Sequence, residues 1–429
     1  LTTKRSEAII IQKGRLYTPK KGYSPSLHIR IKNGILTEIG EDLKPKPEET
    51  VIDAEDCIVF PGLVDGRARS GDPGDEHKED LMSTYKSASS GGATHVAVLP
   101  NTRPYIDSKA GVEYIGERYK NLAVKFLPIG AASKNLEGLE LTEMFDMHKA
   151  GAVAFSNGDR AFQDGQALKR ALLYAKSFNG LIMSHAMEPS LEAQGFINES
   201  KTTIHTGLKT SHSMAEYIQV QKEIQIAAYC EAPLHISHVS TKESVDIIRH
   251  AQNDGLNITC DVALTHLIFT DASMSTYNSS FKLIPPLRSE EDRKALIQGV
   301  KDGVITTIVS DHNPQNIESK DVEFDYAEPG ASILPTFIST YCTHLSKELS
   351  WDDFLHAAST RPRALFGLPQ VAFEVGEKAD FCMFNEKAQW QMTKENNPSK
   401  SNNNPFLDQP LTGRCKATIL GDVWHENPM

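Results

Sequence analysis

Short apolar runs recur through the middle of the chain, and each is followed by a segment with helical spacing of its apolar positions. The runs are IVFPGLVD (58–65), THVAVL (94–99), AVKFLP (123–128), AVAFS (152–156), GLIMS (180–184), LHISH (234–238), NITCDV (257–262) and ITTIVS (305–310). Strands alternating with amphipathic helices predict βαβ units and a parallel sheet. Eight of them match a closed (β/α)8 barrel of the TIM type. The competing doubly wound sheet would carry a glycine-rich phosphate turn after its first strand, and no such turn occurs. The two ends read differently. AIIIQKGRLYT, LHIRIKNGILTEIG and TVIDAEDCIVF at the start, and VAFEVGEKADFCMFN and TGRCKATILGDVWHE at the end, have the β-branched, turn-punctuated character of short strands. The predicted fold is therefore α/β: a barrel over 59–366 with a small composite β-sandwich built from 1–58 and 367–429.

Composition narrows the function. The 429 residues suffice for a barrel and a satellite domain, and a net charge of −11 argues against nucleic acid as a partner. No run approaches the ~20 apolar residues of a membrane span. The N-terminus lacks the layout of a signal peptide, so no membrane association and a cytoplasmic location are expected. The six cysteines are scattered without a CxxC pair, which suits buried free thiols in a reducing compartment.

A barrel places its chemistry at the C-terminal ends of its strands. There the sequence concentrates polar groups: Asp65, Arg67 and Arg69 after strand one, Asn101 after strand two, Asn157 after strand four, His185 after strand five, His238 closing strand six and Asp311 after strand eight. His235 lies at odd spacing from His238 and is expected to pack. His266 is expected to be structural, and His77 to lie on a solvated face.

The blocks PGLVDGRARSGDPGDEHKED, GGATHVAVLPNTRP, AVAFSNGD, SHAME, HISHVSTKESV, KLIPPLR, VSDHNP, GEKADF and SKSNNNPF resemble, in order and across nearly the whole chain, the dihydroorotase family of amidohydrolases. The resemblance implies one or two divalent metals: an HxH pair on strand one, a bridging carboxylate, two histidines from strands five and six, and a strand-eight aspartate that shuttles the proton. Imidazole and carboxylate are zinc ligands, and zinc lowers bound water to a pKa near ~7.

Carried onto this chain, the HxH positions fall on Arg67 and Arg69, whose guanidiniums offer no lone pair. The bridging aspartate falls on Asn157, the substrate-binding arginine on Gly71, a substrate-contacting asparagine on Ile284 and a further histidine on Gln315. What remains is His185, His238, Asp311 and the substrate-binding Asn101. Losing two cations would leave Asp65 and Asp311 uncompensated, which is costly. Arg67 or Arg69 is therefore expected to pair with Asp311 where the first metal would sit.

The preferred reading is a catalytically degenerate dihydroorotase-like protein of pyrimidine biosynthesis with no cofactor. The family contains noncatalytic members that accompany aspartate transcarbamoylase, so its catalytic subunit is the implied partner, with the chain itself a homo-oligomer, a dimer. The alternative is an active cyclic amidohydrolase, of dihydroorotase, hydantoinase or allantoinase type. It would use one Zn on His185, His238 and Asp311, with Asp311 as proton acceptor. In a third reading Arg67 and Arg69 hold an anionic ligand.

Overall fold

The computed structural model describes residues 3–19, 21–162, 164–192 and 195–428; the outermost positions of the small domain, 1 and 429, lie outside them. Eight parallel strands follow one another around the sheet in chain order: Leu63–Ala68, Ala93–Val98, Lys125–Ala131, Ala154–Ser156, Ile182–His185, Leu234–Ser237, Ile258–Ala263 and Thr307–Val309. Helices lie between most neighbours, so the expected (β/α)8 architecture is present. The helix starts are written locally. Asp80 accepts the Ser83 amide and its own amide donates to the Ser83 hydroxyl, which opens Leu81–Ser90. Ser289 and Asp292 repeat this box on Glu290–Lys301. The first and eighth strands meet through a bridge between Ala68 and His312 and through the Asp65 carboxylate, which accepts the Ser310 amide and hydroxyl at 2.8 and 2.5 Å.

The first apolar run divides where the pattern predicts one strand. Ile58–Pro61 pairs antiparallel with Asp380–Gln391 in the small domain, and the barrel strand begins only at Leu63. This junction joins the chain ends. A nine-stranded sheet unites Ala8–Thr18, Gly22–Lys32 and Ile35–Gly40 with Asp380–Gln391, Pro410–Leu420 and Val423–Glu426. Its own core includes Ile9, Ile29, Ile31, Phe381 and Ile419, giving the sandwich domain beside the barrel. Between the two strands Gly62 is held so tightly that a Cβ would lie 2.2 Å from the Thr94 hydroxyl. Arg363 donates to the Gly62 carbonyl at 2.9 Å and to Asp380 at 2.7 Å, and Thr94 donates to the same carboxylate at 2.6 Å. Arg363 and Asp380 are both buried, so this cluster pins the sandwich to the barrel floor.

Removing one member of a buried ion pair strands the other, at a cost of about 3–5 kcal/mol. Asp380→Ala is therefore expected to lower unfolding free energy by that order in urea titration. A loss below ~1 kcal/mol would put the pair with surface bridges instead.

Candidate functional site at the barrel mouth

Arg67 lies within the first strand and Arg69 just beyond it, so both project to the same side. Arg67 is fully buried. Its Nη2 donates to Asp159 at 2.5 Å and its Nε to Asp311 at 3.1 Å. Arg69 bonds the same oxygen of Asp159, and its Nη1 stands 3.5 Å from Asp311. Two guanidiniums and two carboxylates thus form a closed quartet at the C-terminal end of the barrel. The expected pairing with Asp311 is present, and made by both arginines.

Asp159 was not singled out by the sequence. It lies two residues past Asn157 in the same turn, SNGD, so the turn keeps a carboxylate at a shifted position. Asn157 itself turns to Ser133, accepting its amide and hydroxyl at 3.1 and 2.7 Å. Asp65 also departs from expectation. The ladder to the second strand shifts register between Asp65 and Ala68, and the Asp65 carboxylate is met by Ser310 and by the Arg67 backbone rather than by a guanidinium. Burial pushes that carboxyl up to about 7.

The two carboxylates of the quartet differ. Burial raises both, but at Asp159 the close Arg69 and Arg67 guanidiniums prevail and hold it well below the usual range. Asp311 is farther from both cations and feels the charge of Asp159, so its carboxyl is raised.

His185 and His238 lie beside the quartet, ring centroids 5.3 Å apart, with His238 Nε2 3.5 Å from Asp311 Oδ1. Burial lowers His185 to about 4 and His238 well below its usual value, so both imidazoles are neutral. All four ring nitrogens are buried without a hydrogen-bond partner. Two neutral imidazoles could offer lone pairs to zinc, but a zinc site needs at least a third protein ligand. The Asp311 oxygen nearest them already accepts from Arg67, and a cation there would sit against a guanidinium. Among the described residues no group of three or more His, Cys, Asp or Glu side chains is arranged to hold a metal ion. The residues present do not fit the metal that the family resemblance implies.

The positions that the family resemblance assigns to substrate lie as follows. Gly71 has φ +65°, and a Cβ there would lie 2.4 Å from the Glu79 carbonyl and 2.8 Å from that of Asp75. No arginine fits without moving the loop. Asn101 donates to Asp159 at 3.3 Å and Gln315 to Asn313 at 2.9 Å. Arg69, Gly71, Asn101, Asp159 and Gln315 do come together, around a cavity of about 180 Å³, smaller than the ~300–1,000 Å³ of ordinary ligand sites. Ile284 is not among its lining residues. An anion-binding role for the arginine pair meets two guanidiniums already bonded to Asp159.

The most family-like blocks are scaffolding. His235 Nε2 bonds Asp261 at 2.8 Å, and Asp261 accepts the His238 amide at 2.7 Å. Glu216 accepts from the amides and hydroxyls of Ser240 and Thr241. Arg288, of PPLR, donates to the Ser240 hydroxyl at 3.1 Å, Asn198 at 3.0 Å and the Ser211 carbonyl at 2.9 Å. His266 bonds the Pro285 carbonyl at 3.0 Å. SKSNNNPF straps the mouth: Ser401 donates to Lys78 O at 2.8 Å, Asn403 to Gly330 O at 3.0 Å and Asn404 to Ser332 O at 2.6 Å.

A model of the dihydroorotase-like family matches residues 56–244. The dihydroorotase of Geotalea daltonii is 36% identical over 421 residues, covering 97% of this chain and 99% of its own. That of Trichlorobacter lovleyi is 35% identical over 415 residues, covering 96% and 98%. Among solved structures, the L-hydantoinase of Arthrobacter aurescens superposes with a TM-score of 0.86 at 23% identity, over 99% of this chain and 97% of that one. The dihydropyrimidinase of Brevibacillus agri gives 0.82 at 21%, over 98% and 95%. At these identities the structural likeness speaks for the fold.

Arg67→Met should cost about 3–5 kcal/mol in chemical unfolding, because it leaves Asp159 and Asp311 short of a buried cation; an unchanged midpoint would contradict the quartet's role. A second expectation concerns pH. Glu223, on the helix Met214–Cys230 that carries Glu216, keeps one bond from Gln219 at 2.8 Å while its Oε2 is unpaired. Burial pushes its carboxyl up to about 7, above the ~4.3 of an unfolded chain. Its stabilising contribution is therefore complete below ~4.3 and is lost as pH rises through about 7. Glu223→Gln should melt above wild type at pH 8, by on the order of 3 kcal/mol, with the gap narrowing toward pH 5. A gap independent of pH would refute this.

Proposed function

The chain belongs to the dihydroorotase family, and from that premise we propose that it has kept the family's barrel while giving up metal-dependent hydrolysis. Its role on this reading is structural, as a cytoplasmic homo-oligomeric partner of the aspartate transcarbamoylase catalytic subunit. The observation that carries the reading is the buried Arg67 guanidinium, bonded to Asp159 and Asp311 from the first metal-ligand position of strand one.

Opening a cyclic amide at neutral pH requires a water made nucleophilic and a place for its proton. In this family the metal supplies the first, and a strand-eight aspartate the second. A guanidinium has no coordination position to offer water, and Asp311 is engaged by the arginines. The tight backbone at Gly71 leaves no room for the substrate-clamping arginine. The alternative, a cyclic amidohydrolase with a single metal on His185, His238 and Asp311, draws support from the unpartnered imidazole nitrogens.

Two measurements separate these readings. Ring closure of carbamoyl-aspartate and its reversal, assayed with and without added zinc, are expected to stay at the buffer rate. Zinc-dependent turnover at ~1 s⁻¹ or above, within the ordinary enzymatic range, would restore the enzyme reading. Sizing chromatography of the chain mixed with the transcarbamoylase catalytic subunit should give one larger complex. Separate elution with unaltered transcarbamoylase activity would dismiss the structural role.

A further inference from the structure

A second cavity lies away from the mouth, where the helix Leu81–Ser90 faces the hairpin of Asp380–Gln391 and Pro410–Leu420. It measures about 480 Å³, and its lining includes Lys86, Trp390, Asn396, Asn397, Arg414 and Asn427. That is the size of an ordinary small-molecule site.

Its walls are fixed by the chain itself. Gly413, at φ +82°, lies so close to Phe384 that a Cβ would meet the ring at 2.2 Å. Its carbonyl accepts the Trp390 indole N–H at 2.9 Å. Asn396 donates to the Gln391 carbonyl and Asn397 to the Ser401 carbonyl, both at 2.9 Å. Asn427 donates to the Ser89 carbonyl at 3.0 Å.

Against these engaged groups two cations stand out. Arg414 holds its guanidinium carbon over Trp390, 4.8 Å from the ring centroid. Neither Arg414 nor Lys86 has a carboxylate partner or a side-chain hydrogen bond among the described residues. The one acid in the lining, Glu395, is turned to Thr393. A half-buried guanidinium without a carboxylate partner takes carboxylate or phosphate on its donor edge, and guanidiniums also take flat rings on their faces. Pro398 and Pro428 add apolar wall for the body of such a molecule.

We infer that this cavity is a binding site for a small anion carried on a flat ring, an aromatic or heteroaromatic carboxylate or phosphate. Arg414 and Lys86 hold its charge. The loop that lines the cavity continues directly into the segment 399–404 that straps the barrel mouth, so an occupant would bear on that strap. The site stands apart from the arginine–aspartate quartet, and it holds whether or not the chain is an enzyme.

Calorimetric titration of the full chain with phenyl phosphate, benzoate and neutral benzamide tests this. At least one of the two anions should bind with 1:1 stoichiometry, the stronger of them naming phosphate or carboxylate as the preferred head group, and benzamide should give no heat. Arg414→Gln should weaken the anion at least ~10-fold, about 1.4 kcal/mol. Lys86→Gln, on an exposed helix position, should weaken it several-fold with an unchanged melting curve. The inference is overturned if neither anion binds at millimolar concentration, if benzamide binds equally well, or if both variants bind the anion as tightly as wild type.

Discussion

A fully buried guanidinium needs its charge and donors compensated, and Arg67 meets that need with two carboxylates that shape the whole barrel mouth. Its two partners come from opposite sides of the barrel, Asp159 after the fourth strand and Asp311 after the eighth. Arg69 repeats both contacts from the next position along the strand side. The quartet therefore ties the first strand to the fourth and eighth at their C-terminal ends. It does so near the seam where a bridge and the Asp65–Ser310 bonds join the first and eighth strands. The tie is electrostatic, and it is made by this chain's own side chains.

This separates two things that family-wide motifs usually combine. HISHVSTKE and PPLR are retained here because Glu216, Asp261 and Arg288 use them to hold the turn at His238 and the loops beyond it. Those bonds are indifferent to whether a metal is bound. On the proposed reading, the positions that the family resemblance assigns to metal or substrate differ as a set: Arg67, Arg69, Asn157, Gly71, Ile284 and Gln315. Gly71 shows that the change extends to the backbone, since the loop now packs where a side chain would have to pass. A likeness spread over 96–97% of the chain to dihydroorotases is thus compatible with a site of different chemistry.

Much of this was legible before any coordinates. The eight strands follow from periodicity, and the pairing of Arg67 or Arg69 with Asp311 follows from the family resemblance combined with charge balance. The first strand's true start was not legible, because Ile58–Pro61 and Leu63–Ala68 form one apolar run and only the packing at Gly62 divides them. Asp159 is not legible because the family resemblance points to Asn157, while the carboxylate that meets the arginines lies two positions further along the same short turn. A register shift made Asp65 unreadable: spacing groups it with the arginines, yet its carboxylate goes to Ser310. Backbone placement of this kind leaves no trace in residue type.

On the proposed reading, guanidiniums have taken the place of the family's metals. Crystals equilibrated with excess zinc and measured at the zinc absorption edge test it most directly. The expected result is no anomalous peak within bonding distance, ~2.0–2.2 Å, of Asp311, His185 or His238, with Arg67 still bonded to Asp159 and Asp311. A peak coordinated by His185 and His238, with Arg67 displaced from Asp311, would contradict it.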